Sequence, residues 1–370
     1  MHNTSRELHD AFVDVVKVRF VEIKYMEYLF NDVLEIKNGK NQKLVENPEG
    51  LYPIYGSGGI IGYADKYICE ANTVIIGRKG SINNPIYVSE PFWNVDTAFG
   101  LSPKQDILLP RYLFYFCKNY NFEKLNKTVT IPSLTKADLL KIQIDLPSID
   151  EQRRIVDKLI KVETIINLRN YQVQQLDDLI KARFVEMFGD PVLLTKKWDM
   201  KSVESVCKDI YGGGTPSKAH PEYYEYGDIP WVSSKDMKTD VITDSQMKIN
   251  QLGVDNSTAK MVPVGSVIMV IRSGILKHTL PVAINAVPIT VNQDLKVFIV
   301  GEDILPRFLA IQFKMLERDI LSGVRAVTAD NIEFNSLKQR EIIVPPIRLQ
   351  EQFADFVSQI DKSKATVQKA

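Results

Sequence analysis

Cysteine is scarce in this 370-residue sequence: Cys69, Cys117 and Cys207 lie far apart and none belongs to a C-x-x-C pair. That excludes a disulfide framework and a zinc ribbon, and fits a reducing compartment. The four histidines, His2, His9, His220 and His278, are scattered and form no metal-ligand set. No apolar run reaches the ~20 residues that span a bilayer. The opening MHNTSRELHD lacks the layout of a signal peptide. Net charge is missing as well. Lys+Arg and Asp+Glu balance at 46 each, so any contact with nucleic acid must rest on a local patch. What remains is ordinary: 45% hydrophobic and 25% charged residues, with length for two or three domains of roughly 150 residues. The expectation is a soluble, cytoplasmic, multidomain protein without a metal or other cofactor.

The informative feature is an internal repeat. Leu139–Val156 (LLKIQIDLPSIDEQRRIV) aligns without gaps to Leu337–Ala354 (LKQREIIVPPIRLQEQFA), matching Pro147 with Pro345, Gln152 with Gln350 and Ile155 with Phe353. Upstream, DILLPRYL (Asp106–Leu113) echoes DILPRFL (Asp303–Leu309), and VIIGRKG (Val74–Gly80) echoes VIMVIRSG (Val267–Gly274). Three echoes in one order indicate two copies of one domain. Each copy reads as α+β, with strands in β-branched runs such as Thr73–Ile76 and Ser266–Ile271. Helices open at Pro110 and Pro306.

Between the copies, apolar residues recur at Ile155, Leu159, Val162, Ile166, Val173, Leu176, Ile180 and Met187 in steps of three, four and seven. This is a heptad seam rather than the shorter stripe of a helix lying on one domain. After Pro345 a second such helix carries Phe353, Phe356 and Ile360 and stops at Ala370. Its missing end is matched at the N-terminus, where KVRFVE (Lys17–Glu22) differs from KARFVE (Lys181–Glu186) at one position. The expected architecture has two similar target-recognition domains separated by two long antiparallel coiled-coil helices, in a pseudo-two-fold circular arrangement. The expected boundaries are an N-terminal helix over 1–30, domain 1 over 31–147, a spacer helix over 148–190, domain 2 over 191–345 and a C-terminal helix over 346–370.

Two variable domains, each ending in Pro-x-x-x-x-Gln at the entry to a long helix, resemble the specificity (S) subunit of type I restriction–modification enzymes. YPIYGSGGIIGY (Tyr52–Tyr63), GGGTPSK (Gly212–Lys218), IPWVSSKDM (Ile229–Met237) and KARFVEMFGDP (Lys181–Pro191) fit the same pattern. The resemblance covers essentially the whole chain and implies a non-catalytic DNA reader. On that resemblance each domain is expected to take one half of an asymmetric bipartite site in double-stranded DNA, with the helices setting the spacing. Two adenine-N6 methyltransferase subunits are expected to dock on it, and restriction subunits to join the assembly. One departure is that the C-terminal helix stops early and its complement sits at the N-terminus.

The candidate DNA contacts follow from side-chain chemistry. Arg78, Lys79, Ser81, Asn83 and Asn84 form a turn after a strand of copy 1. Arg272, Ser273, Lys277, His278 and Thr279 form the equivalent turn of copy 2. Arg suits guanine O6 and N7, Asn suits adenine N6 and N7, and Lys suits phosphate; the other reading is a solvated polar turn. Lys127, Thr128 and Thr130, and in copy 2 Arg325 and Thr328, lie in polar loops that either bind phosphate or cap a loop. Ser217 and Lys218 in GGGTPSK, and Ser233, Ser234 and Lys235 after Trp231, are either phosphate contacts or simple turns. GGGTPSK lacks the Lys-Ser/Thr of a P-loop. NNPIY (Asn83–Tyr87) has Ile86 where the Asn-Pro-Pro-aromatic motif of amino-methyltransferases has its second proline, and no Gly-rich cofactor strand accompanies it. Two rivals remain: a duplicated-domain protein-interaction scaffold that never reads DNA, and a fused methyltransferase or nuclease.

Overall fold

The computed structural model describes residues 24–126, 131–323, 325–326 and 330–369. The chain divides into two compact units, 1–168 and 169–370.

In the first unit an antiparallel sheet has the order β2–β8–β5–β6, formed by Leu34–Asn38, Ala98–Pro103, Thr73–Gly77 and Ile86–Val88. Its central strand β5 is an unbroken TVIIG run, buried at every position. Three consecutive β-branched aliphatic residues, Val74, Ile75 and Ile76, fit a strand covered on both faces. A smaller sheet joins the hairpin β3–β4 (Tyr52–Gly56 and Gly59–Ala64) to β7 (Trp93–Asn94), and β1 (Met26–Leu29) pairs with β9 (Gln143–Leu146). The helix Pro110–Asn119 opens with Pro at its first position, where the missing N–H costs no hydrogen bond. It packs Tyr112, Leu113, Phe114 and Cys117 onto Val74, Ile76, Phe99 and Leu101.

The second unit repeats this plan. Its main sheet runs β11–β18–β15–β16–β13, from Cys207–Gly212, Leu295–Val300, Val267–Val270, Val282–Asn285 and Val241–Ile242. The strand β12 (Ile229–Val232) lies between β14 (Lys248–Ile249) and β17 (Thr290–Val291). β10 (Met200–Ser202) pairs with β21 (Glu341–Ile343) as β1 does with β9. A short ladder joins β19 (Arg325–Ala326) to β20 (Asp330–Asn331). The helix Pro306–Met315 again starts with Pro.

The matched glutamines explain the repeated Pro-x-x-x-x-Gln. Gln152 is fully buried. Its Oε1 accepts from the Leu109 N–H at 2.9 Å, while its Nε2 donates to the carbonyls of Ile107 (2.8 Å) and Pro147 (3.0 Å). Gln350 does the same with the Leu305 N–H (2.9 Å) and the carbonyls of Asp303 (2.9 Å) and Pro345 (2.7 Å). In each copy one amide ties the start of a domain helix to the last strand and to the helix that follows.

That following helix spans Ile149–Phe188, 40 residues, or ~60 Å at 1.5 Å per residue. It holds no Gly or Pro. Ser148 Oγ accepts from the Glu151 N–H at 3.3 Å, Asp150 and Glu151 occupy the positive first turn, and Gly189 at φ +80° ends it. Ile155, Leu159 and Ile180 of the expected seam are buried, and Val162, Ile166, Val173, Leu176 and Met187 are half-buried. The heptad count skips Phe184 and Phe188, yet both are buried, at 0% and 1% exposure. There the helix leaves the seam period because Phe308 and Phe353 converge on it.

The C-terminal helix Ile347–Lys369 buries Phe353, Val357 and Ile360, with Phe356 half-buried. Its contacts with the Ile149–Phe188 helix run in opposite senses: Phe353 meets Phe188 and Phe184, Phe356 lies under Arg183, and Lys364 pairs with Asp177. The two helices are thus antiparallel over this stretch. Of the helix expected over 1–30, residues 1–23 lie outside those described. Met26–Leu29 form a strand instead, because their backbone groups pair with β9. Among the described residues no helix is long and apolar enough to cross a membrane.

Candidate nucleic-acid interface

Both candidate turns leave the buried central strand of a sheet, and the backbone sets their correspondence. In copy 1 the N–H groups of Arg78 and Lys79 both donate to the Thr97 carbonyl, at 2.7 and 3.4 Å. In copy 2 those of Ile271 and Arg272 donate to the Asp294 carbonyl, at 2.9 and 3.3 Å. Lys79 bridges to Ser133 as Arg272 does to Asn331. The structural counterpart of Arg272 is therefore Lys79, and that of Arg78 is the buried Ile271. A basic side chain, exposed in both copies, stands at one place in the fold.

The surroundings of these residues differ. Arg78 lies over the Phe99 ring at 5.9 Å. Gly80 takes φ +79°, a left-handed bend that favours glycine, and donates to the Pro132 carbonyl at 3.0 Å. Ser81 and Asn84 are exposed. Asn83 has a structural assignment: its Oδ1 accepts from the Phe122 N–H at 2.8 Å and its Nδ2 donates to Asn121 Oδ1 at 3.4 Å. In copy 2, Arg272 donates through Nε to Asp294 Oδ1 at 2.7 Å, and its Nη2 lies 2.6 Å from the same oxygen. Ser273 accepts from the Ile275 N–H at 3.4 Å and opens a short helical turn, leaving Lys277 and His278 exposed and Thr279 half-buried.

The remaining candidates divide in the same way. Ser233 is spent on its own turn, with Oγ and N both 2.8 Å from Asp236 Oδ2, while Ser234 is half-buried and Lys235 exposed. In GGGTPSK the glycines permit close packing of the backbone. A Cβ on Gly213 would lie 1.8 Å from the Val291 carbonyl oxygen, as one on Gly39 of copy 1 would lie 1.7 Å from that of Val95. Beyond them Ser217 and Lys218 are exposed. Lys127, Thr128, Thr130, Thr328 and the side chain of Arg325 lie outside the described residues.

Within NNPIY, the Tyr87 hydroxyl donates to Asn72 Oδ1 at 2.5 Å, and Arg111 stacks over its ring at 4.1 Å. Among the described residues no group of three or more His, Cys, Asp or Glu is placed to hold a metal. Burial pushes the Cys69 and Cys207 thiols up to about 12, and raises that of the fully buried Cys117 as well. Since the thiolate is the reactive form, all three should resist Ellman's reagent at pH 8 until the chain is unfolded. Rapid labelling of a native thiol would contradict this.

Two main sheets that share a four-strand order, with β13 added at the edge of the second, each with the same glutamine clamp and a basic side chain at the same turn, define a duplicated fold. The family model for the type I restriction modification DNA specificity domain matches residues 22–177 and again 195–370. The chain belongs to this family and carries its domain twice. It is similar to the specificity subunit of the Escherichia coli type I restriction enzyme EcoR124I/EcoR124II, 36% identical over 41% of this chain and 38% of that one. It is also similar to the specificity subunit of the Methanocaldococcus jannaschii enzyme MjaIX, 23% identical over 76% of this chain and 68% of that one. A crystal structure of the type I S subunit from M. genitalium has the same fold, with TM-score 0.59 and 16% identity over 95% of this chain and 94% of that one.

Sequence reasoning missed Asp294, the partner of Arg272, along with Asn292 behind it. Nothing in the sequence signals that pairing, which joins two strand ends 22 residues apart.

Proposed function

We propose that this chain is the DNA sequence-specificity subunit of a type I restriction–modification system, a non-catalytic reader acting in the cytoplasm. Its two domains, 31–147 and 191–345, read the two halves of an asymmetric bipartite site. Helices over 148–190 and 346–370, with the segment 1–30, act as a coiled-coil spacer. Adenine-N6 methyltransferase subunits, two in number, dock on the chain, and restriction subunits join them. The observation that carries this reading is the duplication itself. One DNA specificity domain occurs twice with a shared four-strand sheet order and glutamine clamp, but with different side chains at the exposed turns. Two different readers on one chain imply two different half-sites.

The test is to co-express the chain with its methyltransferase subunit and map N6-methyladenine across a genome. A split asymmetric motif with a fixed unread gap is expected. Removing one heptad from the long helix shortens it by ~10 Å, so the gap should change while both half-motifs keep their letters. A gap unaffected by the deletion would rule out the spacer. DNA affinity should also fall steeply from 50 to 200 mM salt, because phosphate contacts release counterions. A purely protein-binding scaffold would show no such slope.

A further inference from the structure

Basic residues at the same turn of the two domains sit in different electrostatic settings. In copy 2 the guanidinium of Arg272 gives its Nε–Nη2 edge to Asp294. Asp294 is itself fixed: its Oδ2 accepts from Asn292 Nδ2 at 3.1 Å, and its N–H donates to Asn292 Oδ1 at 3.1 Å. Asn292 is buried, so this support is part of the domain body, whereas the Arg272 side chain is half exposed. In copy 1 the backbone carbonyl that holds the turn belongs to Thr97, where copy 2 has Asp294, and the basic residue is Lys79. No carboxylate occupies the matching position.

Resting on the DNA-reading function above, we infer that Arg272, held by Asp294, reads one guanine in the half-site of domain 2, whereas Lys79 serves domain 1 as a phosphate contact. Coulomb's law separates the two. A guanidinium paired with a carboxylate has little net charge to offer a phosphate, and the carboxylate repels that phosphate. Its hydrogen-bond donors survive the pairing. With the Nε–Nη2 edge occupied, the other two-pronged edge, Nη1 and Nη2, matches the neutral acceptors O6 and N7 of guanine. Pairing also fixes the side chain before DNA arrives, which favours a directional contact over a diffuse one. Lys79 is a point charge without a fork, suited to the backbone rather than to a base edge. Asp294 is thus a positioning residue that acts through Arg272.

The experiment uses the full chain co-produced with its methyltransferase subunit. Methylation motifs are mapped for the unaltered protein and for Arg272→Ala, Arg272→Lys, Asp294→Asn and Lys79→Ala. DNA affinity is measured against salt, and each variant is melted beside the parent. Arg272→Ala, Arg272→Lys and Asp294→Asn should each make the same single G·C position degenerate, in one half-site only. The lysine variant answers the question even where the alanine variant fails to fold. Asp294→Asn should also steepen the salt slope by about one unit, since the carboxylate that offsets the Arg272 charge is gone; a merely structural residue would not move it that way. Lys79→Ala should keep every letter of the motif and flatten the slope. Replacing the assigned guanine by 7-deazaguanine removes N7. It should weaken the parent about tenfold and leave Arg272→Ala unmoved. An unchanged motif in Arg272→Ala, with methylation reduced uniformly, would make Arg272 a backbone contact and overturn the inference while the reading function stands. Absence of any motif from the parent protein would remove both together.

Discussion

Replacing Gln152 by Ala, or Gln350 by Ala, lowers the stability of the domain concerned by about 3 kcal/mol, with closely similar losses in the two copies. Each amide is fully buried and makes three hydrogen bonds. The accepted N–H belongs to Leu109 or Leu305, immediately before a helix, where first-turn donors have no partner within the helix. Truncation leaves one donor and two carbonyls without their partner at a buried position. A buried unsatisfied group costs about 1–3 kcal/mol, softened here because each carbonyl has a second lone pair and water can enter the space. The isosteric Gln→Glu change should be worse than Ala. Its carboxylate still accepts from the leucine N–H but meets the two carbonyls as an unpaired charge. Urea denaturation of the four single variants decides the matter. A loss under 1 kcal/mol for either alanine would mean that the Pro-x-x-x-x-Gln repeat reflects ancestry without a structural demand.

That glutamine also shows why the duplication was legible and much of the site was not. Gln152 and Gln350 fall in a gapless match because the contact they make is local in the fold and identical in both copies. The Pro-initiated helices and the β-branched central strands were readable for the same reason, since their causes lie within each segment. Arg272 was readable as a polar turn residue, but its partner Asp294 comes from a different strand end. Nor was the pairing of Lys79 with Arg272 visible in a comparison of strings. The alignment of VIIGRKG with VIMVIRSG puts arginine against arginine once a gap is allowed, whereas the backbone bonds to Thr97 and Asp294 put Lys79 in register with Arg272. The amide of Asn83 holds the Phe122 N–H and the Asn121 side chain, contacts made across 39 and 38 residues that its own segment does not signal. Heptad counting failed at Phe184 and Phe188 for a related reason. A period describes one continuous partner, and this helix changes partners near its end.

Phe353→Ala should destabilise the second unit by about 4 kcal/mol, within the range for emptying a buried phenylalanine site. The ring is fully buried and packs against three others, with centroids 5.5 Å from Phe184, 5.5 Å from Phe188 and 6.3 Å from Phe308. The geometry is edge-to-face in all three contacts, so the loss includes favourable quadrupole terms beyond buried area. Phe308 and Phe188 also touch, at 4.9 Å, so three elements share the cavity and none can close it alone: the domain helix, the long helix and the C-terminal helix. The matched position in copy 1 is Ile155, which is buried in the core of the first unit but brings no aromatic ring of its own. Ile155→Ala should cost less, about 3 kcal/mol. Denaturant midpoints with unchanged m-values would establish the order, and an Ile155→Ala loss as large as that of Phe353→Ala would refute it. The consequence for the proposed reader is specific. Phe353 fastens the C-terminal helix to the long helix, alongside the more exposed Arg183–Phe356 and Asp177–Lys364 contacts. A folded Phe353 variant that still methylates should therefore tolerate more than one gap length between its half-sites, whereas Ile155→Ala, which leaves that junction intact, should keep the single gap.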